Sequence, residues 1–311
     1  MHLLPHRPVA ILGAASSLGI RPYDDRPEAR HLYCAPDALR RLGLADRLAA
    51  DDLGDAVPAD SYRDFTRPPG GVRNEREVER YSRLLADRVA SGLGAGRFLL
   101  VLGGDCSIVL GSLLGAARHA ARVGLAYVDG HADFATPEES LTGSAASMCL
   151  AMAVGRGESP LSTLAGPAPL VRPADVVLLG RRDEGQDYYG HDALASSGIL
   201  DLPWQAVAAN RDAAAAALER LERPELDGFW IHLDADVLNP SDMPAVDSPE
   251  PGGPDLERLA AIIAPMVRHP RALGLQLTIY DPALDADGEC AARLVSLLES
   301  ALAPGSDGGL R

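Results

Sequence analysis

Residues 129–133, Asp-Gly-His-Ala-Asp, decide how the rest of the chain must fold. They directly follow a short apolar run, and two further polar motifs stand in the same relation to apolar runs: Gly-Gly-Asp-Cys-Ser at 103–107 and Asp-Ala-Asp at 234–236. Apolar runs of this length are typical of buried strands. In an open α/β sheet, the loops that follow the strands gather at the carboxyl edge. We therefore expect these three motifs to meet in one site.

Segments of strand type and helix type alternate along the chain. Residues 9–13 and 175–180 have the pattern of buried strands, whereas residues 74–93 place apolar side chains at helical spacing. Such alternation is typical of a parallel sheet that helices cover on both faces. We predict one α/β domain over residues 1–303 and a disordered tail at 304–311.

Residues 51–71 are expected to lie outside the sheet. The stretch is acidic at first and then rich in proline and glycine. Proline and glycine interrupt regular structure, and clusters of them mark loops. We therefore predict a surface loop here.

The composition excludes several classes of protein. With a formal charge of −15 in 311 residues, the chain is a poor partner for nucleic acid or an anionic membrane, and small cationic molecules are favoured as ligands. All 29 basic residues are arginine, so Schiff-base chemistry, pyridoxal-phosphate anchoring and a phosphate-loop lysine are ruled out. The four cysteines are widely spaced, which argues against a disulfide framework or a zinc ribbon. No long apolar segment is present, and we expect a soluble, cytoplasmic protein.

The polar motifs carry the donor atoms of a metal site. Side chains at positions i, i+2 and i+4 of an extended segment share one face, so the alternating acids and histidine of each motif point together. Carboxylates that can bridge, an imidazole and a thiol suit two divalent cations held close together. His232 shares the face of Asp234, but a buried structural role is favoured for it over a catalytic one. We predict six metal ligands: Cys106, Asp129, His131, Asp133, Asp234 and Asp236.

These motifs resemble those of the arginase and agmatinase (ureohydrolase) family. Residues 103–107 are similar to the family's Gly-Gly-Asp-His-Ser, 128–133 to Asp-Ala-His-x-Asp, and 234–240 with 248–253 to Asp-x-Asp-x-x-Asp-Pro followed by Pro-Glu-Pro-Gly-Gly. The resemblance covers nearly the whole chain. It implies a three-layer αβα sandwich with a central, mainly parallel eight-stranded sheet, a binuclear manganese centre and a homo-oligomer. It also implies hydrolysis of a guanidino or related C–N bond by a hydroxide that bridges the two metal ions.

One departure from the family pattern concerns the metal ligands. Cys106 stands where the family has a histidine, and a thiolate is a softer donor than an imidazole. We expect manganese as the metal, with Zn²⁺ and Fe²⁺ as alternatives because the thiolate favours them more than an imidazole does. Coordination by Cys106 is the preferred interpretation, and a thiol that binds no metal, leaving one weak site, is the alternative.

Other departures concern the substrate. The family's His-Gly pair, which supplies a proton shuttle, aligns with Ala-Ser at 146–147, and its glutamate that holds the guanidinium aligns with Ile279. Its Arg-Asp-x-Asp stretch becomes Arg-Asp-Glu-Gly at 182–185, which keeps only the first acid. By resemblance, Asp183 and Glu250 are assigned to substrate binding. Ordinary arginase or agmatinase activity is therefore not expected.

We predict a metal-dependent hydrolase that acts on a linear amidine or a modified guanidino compound, with Asp129, His131 and Asp234 as catalytic residues. N-Hydroxyarginine is an attractive substrate, because hydroxylation lowers the pKa of the guanidinium group and eases its activation. A non-catalytic metal-binding protein that acts as a scaffold is the alternative. Thiol catalysis by Cys106 is disfavoured, because no histidine is adjacent to it in sequence and the predicted metal ligands would have no role in such a mechanism.

Overall fold

The computed structural model describes residues 7–185, 190–209 and 213–303. Within them, eight strands form the sheet: β1 (Val9–Ala14), β2 (Asp51–Ala56), β3 (Phe98–Leu102), β4 (Val123–Val128), β5 (Val176–Leu179), β6 (Leu200–Leu202), β7 (Gly228–Asp234) and β8 (Ala272–Thr278). Their order across the sheet is β2-β1-β3-β8-β7-β4-β5-β6, and every pairing of neighbours is parallel. The predicted α/β fold with an eight-stranded, mainly parallel sheet is confirmed.

Helices connect the strands and flank the sheet, as a three-layer αβα sandwich requires. In chain order they are α1 (Ala35–Arg41), α2 (Leu44–Arg47), α3 (Glu75–Gly94), α4 (Ile108–His119), α5 (Cys149–Ala153), α6 (His191–Ser197), α7 (Trp204–Ala209), α8 (Ala213–Leu221), α9 (Leu256–Val267) and α10 (Glu289–Leu302). The helix predicted over 74–93 is confirmed as α3. Its apolar stripe, which includes Val78, Leu85 and Val89, is buried.

The central strands are buried along their whole length, whereas the edge strand β2 is not. Every residue of β3, β4, β7 and β8 is buried, which explains their nearly continuous apolar sequence. The three aspartates of β2 are exposed, and they pair with Arg40 and Arg97. The prediction of a loop over 51–71 is wrong for its first six residues, because pairing with β1 places their backbone in the sheet. A sheet edge tolerates, and is protected by, such charged side chains.

One apolar core runs through the described part of the chain. Buried side chains from β1 to α10 form a continuous cluster, and Trp230 and Tyr127 are among its largest fully buried members. No helix of residues 7–185, 190–209 and 213–303 is both long and apolar enough to cross a membrane. The predicted tail at 304–311 lies outside the described residues, and the single domain over 1–303 stays a prediction.

Candidate metal centre

The three polar motifs meet at the carboxyl ends of β3, β7 and β4, and β8 lies between β3 and β7. Cys106 follows β3, residues 129–133 follow β4, and 234–236 follow on from the end of β7. Together these motifs border an open cavity of about 220 Å³. All six predicted metal ligands line this cavity. The structure therefore brings the three motifs together.

The loop that carries Cys106 depends on two glycines. Gly103 and Gly104 have φ of +76° and +98°, a backbone conformation that residues with a side chain rarely adopt. The next carboxylate, that of Asp105, is fully buried and accepts hydrogen bonds from two backbone N–H groups, each at 3.0 Å. One of these groups belongs to Gly19, so Asp105 ties the loop after β1 to the loop after β3. These contacts hold Cys106 against the cavity.

Four buried donors, Cys106, Asp129, His232 and Asp234, form the first candidate ligand group. Each offers one ligand atom, and these atoms lie within 4.8 Å of one another. The thiol of Cys106 donates to Oδ2 of Asp234 at 2.6 Å, and Oγ1 of Thr278 lies 3.4 Å from the sulfur. Burial, and then the charge of Asp234, raises the pKa of the Cys106 thiol. The sulfur therefore keeps its proton unless a cation replaces it.

Asp129, His131 and Asp236 form the second candidate ligand group, which shares Asp129 with the first. Nδ1 of His131 lies 3.0 Å from Oδ2 of Asp236 and 3.7 Å from Oδ1 of Asp129. Burial lowers the pKa of His131, but the two carboxylates outweigh burial, and the net pKa is raised. Since a carboxylate has two oxygens that can each bind an ion, Asp129 would contribute to both sites if ions were bound.

Asp133 lines the cavity but, among the described residues, belongs to neither ligand group. Its Oδ2 accepts a hydrogen bond from the hydroxyl of Tyr127 at 2.6 Å, and Sγ of Cys149 lies 3.6 Å from the same oxygen. Burial, and then the charge of Asp129, raises the pKa of Asp133. Its role as a ligand stays a prediction. Tyr127 is not part of any polar motif in the sequence, although its place on β4, two residues before Asp129, puts it on the same face.

The centre holds more negative charge than its own residues neutralise. Among the aspartates of the centre, only Asp129 has a lowered pKa: burial raises it, but the neighbouring imidazoles of His131 and His232 lower it by more. Buried carboxylates without compensating charge are costly, and bound cations are an ordinary way to supply that charge. The residues present therefore fit a pair of divalent ions. The pKa is raised, with burial as the first cause, in the other three aspartates of the centre: Asp133, Asp234 and Asp236.

The two residues predicted to bind substrate are not among those that line the cavity. Asp183 is fully buried, accepts a hydrogen bond from the N–H of Ala132 at 2.8 Å and pairs with Arg181 at 3.1 Å. The backbone carbonyl of Glu250 accepts a hydrogen bond from Arg182 at 3.0 Å. In this arrangement Asp183 supports the loop of Ala132 from the protein interior. The substrate role of Asp183 and Glu250 stays a prediction.

Uncharged side chains line the cavity at the positions that the sequence resemblance aligns with the shuttle histidine and the guanidinium-binding glutamate. Ala146, Ser147 and Ile279 line the cavity there. Ile279 is buried and has φ of +69°, a strained conformation for a β-branched residue. Arg21 also lines the cavity, and one of its guanidinium nitrogens lies 3.5 Å from Asp247.

Three comparisons with known proteins agree. The model of the arginase family matches residues 7–303. An arginase from Bacillus caldovelox is 30% identical over 304 residues, which cover 94% of this chain and 97% of that protein. A solved structure of arginase from Bacillus caldovelox has a TM-score of 0.83 at 30% identity and covers 95% of this chain and 98% of that chain. Proclavaminate amidino hydrolase from Streptomyces clavuligerus, 16% identical with a TM-score of 0.70 over 97% of this chain and 93% of that chain, shares the fold.

Proposed function

The chain belongs to the arginase family, and we propose that it hydrolyses a C–N bond of a small guanidino or amidino compound with a pair of divalent metal ions. The observation that carries this proposal is the pair of ligand groups that share Asp129 beside an open cavity. Without bound cations, the buried carboxylates of these groups would have no sufficient compensating charge.

We expect the two ions to be Mn²⁺, with Zn²⁺ or Fe²⁺ as alternatives because of the thiol. When bound, such ions act as Lewis acids and lower the pKa of a bound water. Asp129 would join the two sites, with Cys106 and Asp234 on one side and His131 and Asp236 on the other. These positions support the proposed catalytic role of Asp129, His131 and Asp234.

The proposed substrate carries a guanidino group of lowered pKa, as in N-hydroxyarginine, or is another linear amidine. A fully protonated guanidinium is a cation, and enclosing it calls for a carboxylate partner. By the sequence resemblance, Ile279 aligns with the family's glutamate and Ala146 with its shuttle histidine, and both residues line the cavity. A substrate that is less basic and more reactive has less need of a carboxylate partner and a proton shuttle. Modified guanidino compounds are therefore favoured over arginine and agmatine.

A substrate screen tests this proposal. Protein loaded with Mn²⁺, Zn²⁺ or Fe²⁺ is assayed for release of the amine product from N-hydroxyarginine, simple amidines, arginine and agmatine, with Asp129→Asn as the inactive control. We expect turnover of a modified substrate and turnover of arginine and agmatine below about 1 s⁻¹. Arginine turnover of about 1 s⁻¹ or more would contradict the substrate assignment.

The absence of turnover in a protein that holds two ions would favour the alternative, a metal-binding scaffold.

Thiol catalysis needs a separate argument, because the structure does place a ring nitrogen of His232 within 4.8 Å of the Cys106 sulfur. The thiol nevertheless donates to Asp234, and its pKa is raised. Reactive cysteines have lowered pKa values, so Cys106 is not proposed as a nucleophile.

We also propose a homo-oligomer, on the basis of the family resemblance, and size-exclusion chromatography with light scattering tests it. The charge of −15 disfavours nucleic acid as a partner. The cytoplasmic location expected from the sequence stays a prediction.

A further inference from the structure

Beneath the metal centre, three side chains from adjacent strands form one layer. Tyr127 of β4, His232 of β7 and Gln276 of β8 are direct neighbours in the sheet register. His232 is fully buried, and its ring stacks on that of Tyr127 with a centroid distance of 4.2 Å and an interplanar angle of 17°. This packing fixes the plane of the imidazole. Each of its two nitrogens therefore faces a defined partner.

The partner of Nδ1 is set by Trp230. The indole N–H of Trp230 can only donate, and it donates to Oε1 of Gln276 at 3.0 Å. The amide nitrogen of Gln276 is left to donate to Nδ1 of His232 at 2.7 Å. An Nδ1 that accepts a hydrogen bond carries no proton. Neutral His232 therefore carries its proton on Nε2.

Nε2 of His232 faces Asp129, whose Oδ2 is 3.7 Å away. Both atoms are buried, and neither has a hydrogen-bond partner in the part of the chain that the structure describes. We propose that His232 is a positioning residue whose Nε2–H orients Asp129, the carboxylate that joins the two ligand groups. Trp230 and Gln276 keep the proton on that nitrogen. The inference rests on the metal centre proposed above.

A ring nitrogen of His232 is close enough to Cys106, Asp129 and Asp234 to bind an ion together with them, and Nε2 is the one that faces Asp129. Binding would need a lone pair on Nε2 and therefore a proton on Nδ1. That proton would face the amide nitrogen of Gln276, and turning the amide would place its N–H groups against the indole N–H of Trp230. A buried donor would lose its partner in either case, which is unfavourable. The orienting role is therefore favoured over ligation.

Nuclear magnetic resonance of protein labelled with ¹⁵N at histidine tests the tautomer directly. The signals of His232 are identified by their loss in His232→Phe and His232→Gln. We expect a protonated Nε2 and an unprotonated Nδ1 in the metal-free protein, and the same pattern after loading with Zn²⁺, which is diamagnetic. A proton on Nδ1, or a metal-bound Nε2 after Zn²⁺ is added, would overturn the proposal. Because the first spectrum uses no metal, this inference can fail while the proposed function stands.

Trp230→Phe tests the role of the indole. The change removes the donor that fixes the amide of Gln276, but it leaves the charge unchanged and keeps an aromatic ring in the core. We expect both tautomers of His232 to be populated in this variant. A signal from the Nε2–H form alone would show that Trp230 does not set the tautomer, and it would refute that step.

Zn²⁺ affinity, measured by competition with a chelating dye, gives a second readout. Loss of a group that orients a ligand typically weakens metal binding about 10–100-fold, and we expect this for His232→Phe. His232→Gln places an amide N–H at a similar reach and should recover most of the lost affinity. Unchanged affinity in His232→Phe would overturn the proposal. A Gln variant that folds, by circular dichroism, and still binds as weakly as the Phe variant would overturn it as well.

Discussion

Two buried acidic sites lie at opposite ends of the same sheet, and they differ in what neutralises them. At the amino end, Asp175 precedes β5, is fully buried and pairs with Arg122 at 2.8 Å and with Arg223. Burial raises the pKa of Asp175, but the two arginines outweigh burial, and the net pKa is lowered. At the carboxyl end, burial and neighbouring carboxylates raise the pKa of Asp234 well above its usual range.

The difference separates an acid that serves the fold from one that serves a site. The chain itself neutralises Asp175, so this residue needs nothing from solution. The carboxylates of the metal centre outnumber the cationic groups beside them, so their charge is balanced either by protons or by bound cations. Acids with strongly raised pKa values at the carboxyl ends of parallel strands therefore make this edge of the sheet the candidate functional edge.

Removal of the metal ions should change the stability of the protein more than any of the substitutions below. Chelation takes away the charge that balances the centre, and an ion present at about 1,000 times its Kd stabilises the fold by about 4 kcal/mol. We expect calorimetry to show a loss of this order, which returning Mn²⁺ or Zn²⁺ reverses. Elemental analysis should find about two ions per chain, since six donors exceed the need of one ion. At most one ion per chain after reconstitution would contradict the binuclear centre.

Asp236→Asn should have the second-largest effect, a loss of metal affinity. The change removes a carboxylate from the second ligand group, and loss of a ligand should exceed the roughly 10–100-fold weakening caused by loss of a supporting residue. We therefore expect Mn²⁺ affinity, by isothermal titration calorimetry, to fall at least about 100-fold, and any activity to fall with it. Asp129→Asn is the matched comparison, because Asp129 belongs to both groups and its loss should weaken both ions. Unchanged binding or activity in either variant would show that the roles are misassigned.

Asp175→Asn tests the end that the chain neutralises itself. Hydrogen bonds to charged groups contribute about 1.5–3 kcal/mol, and because both arginines are partly exposed we expect a loss of about 2 kcal/mol in urea unfolding, with unchanged metal content. A lowered pKa means that this contribution is present above the unfolded-state pKa of about 3.9 and is lost as pH falls through the native pKa.

The stability difference between wild type and Asp175→Asn should therefore be constant near neutral pH and shrink below about pH 4. Unfolding curves at several pH values measure it. A difference that grows in acid, or a variant that loses metal, would remove the distinction between the two ends of the sheet.

Replacing Cys106 by the histidine of the family should give the smallest shift, a change in metal preference. Cys106→His removes a soft donor and a negative charge. The affinity for Mn²⁺ relative to Zn²⁺ should therefore rise about tenfold, or by about 1.4 kcal/mol. Cys106→Ser should weaken one site and leave the stoichiometry nearer to one ion. Competition binding with both metals offered together compares the three proteins. Identical preference and stoichiometry in all three would show that Cys106 is not a ligand.

The centre of the sheet could be predicted from the sequence because strands buried on both faces are continuous apolar runs. The polar motifs stand out against those runs, and their alternation shows which side chains share a face. The edge strand β2 lacks this signal, since its aspartates are exposed. Its strand conformation depends on the backbone of β1, which local sequence does not contain.

At the metal centre, the sequence by itself identified six polar residues that line one cavity at one edge of the sheet, because local periodicity and strand ends place them there. Only the tertiary structure decided which buried side chains contact the candidate metal ligands. Tyr127, His232 and Gln276 are far apart in the chain and become neighbours only through the register of β4, β7 and β8. Asp183 resembles a substrate residue by its motif, yet the fold buries it against Arg181. A hydrogen bond depends on distance and direction between groups, and those are properties of the folded chain.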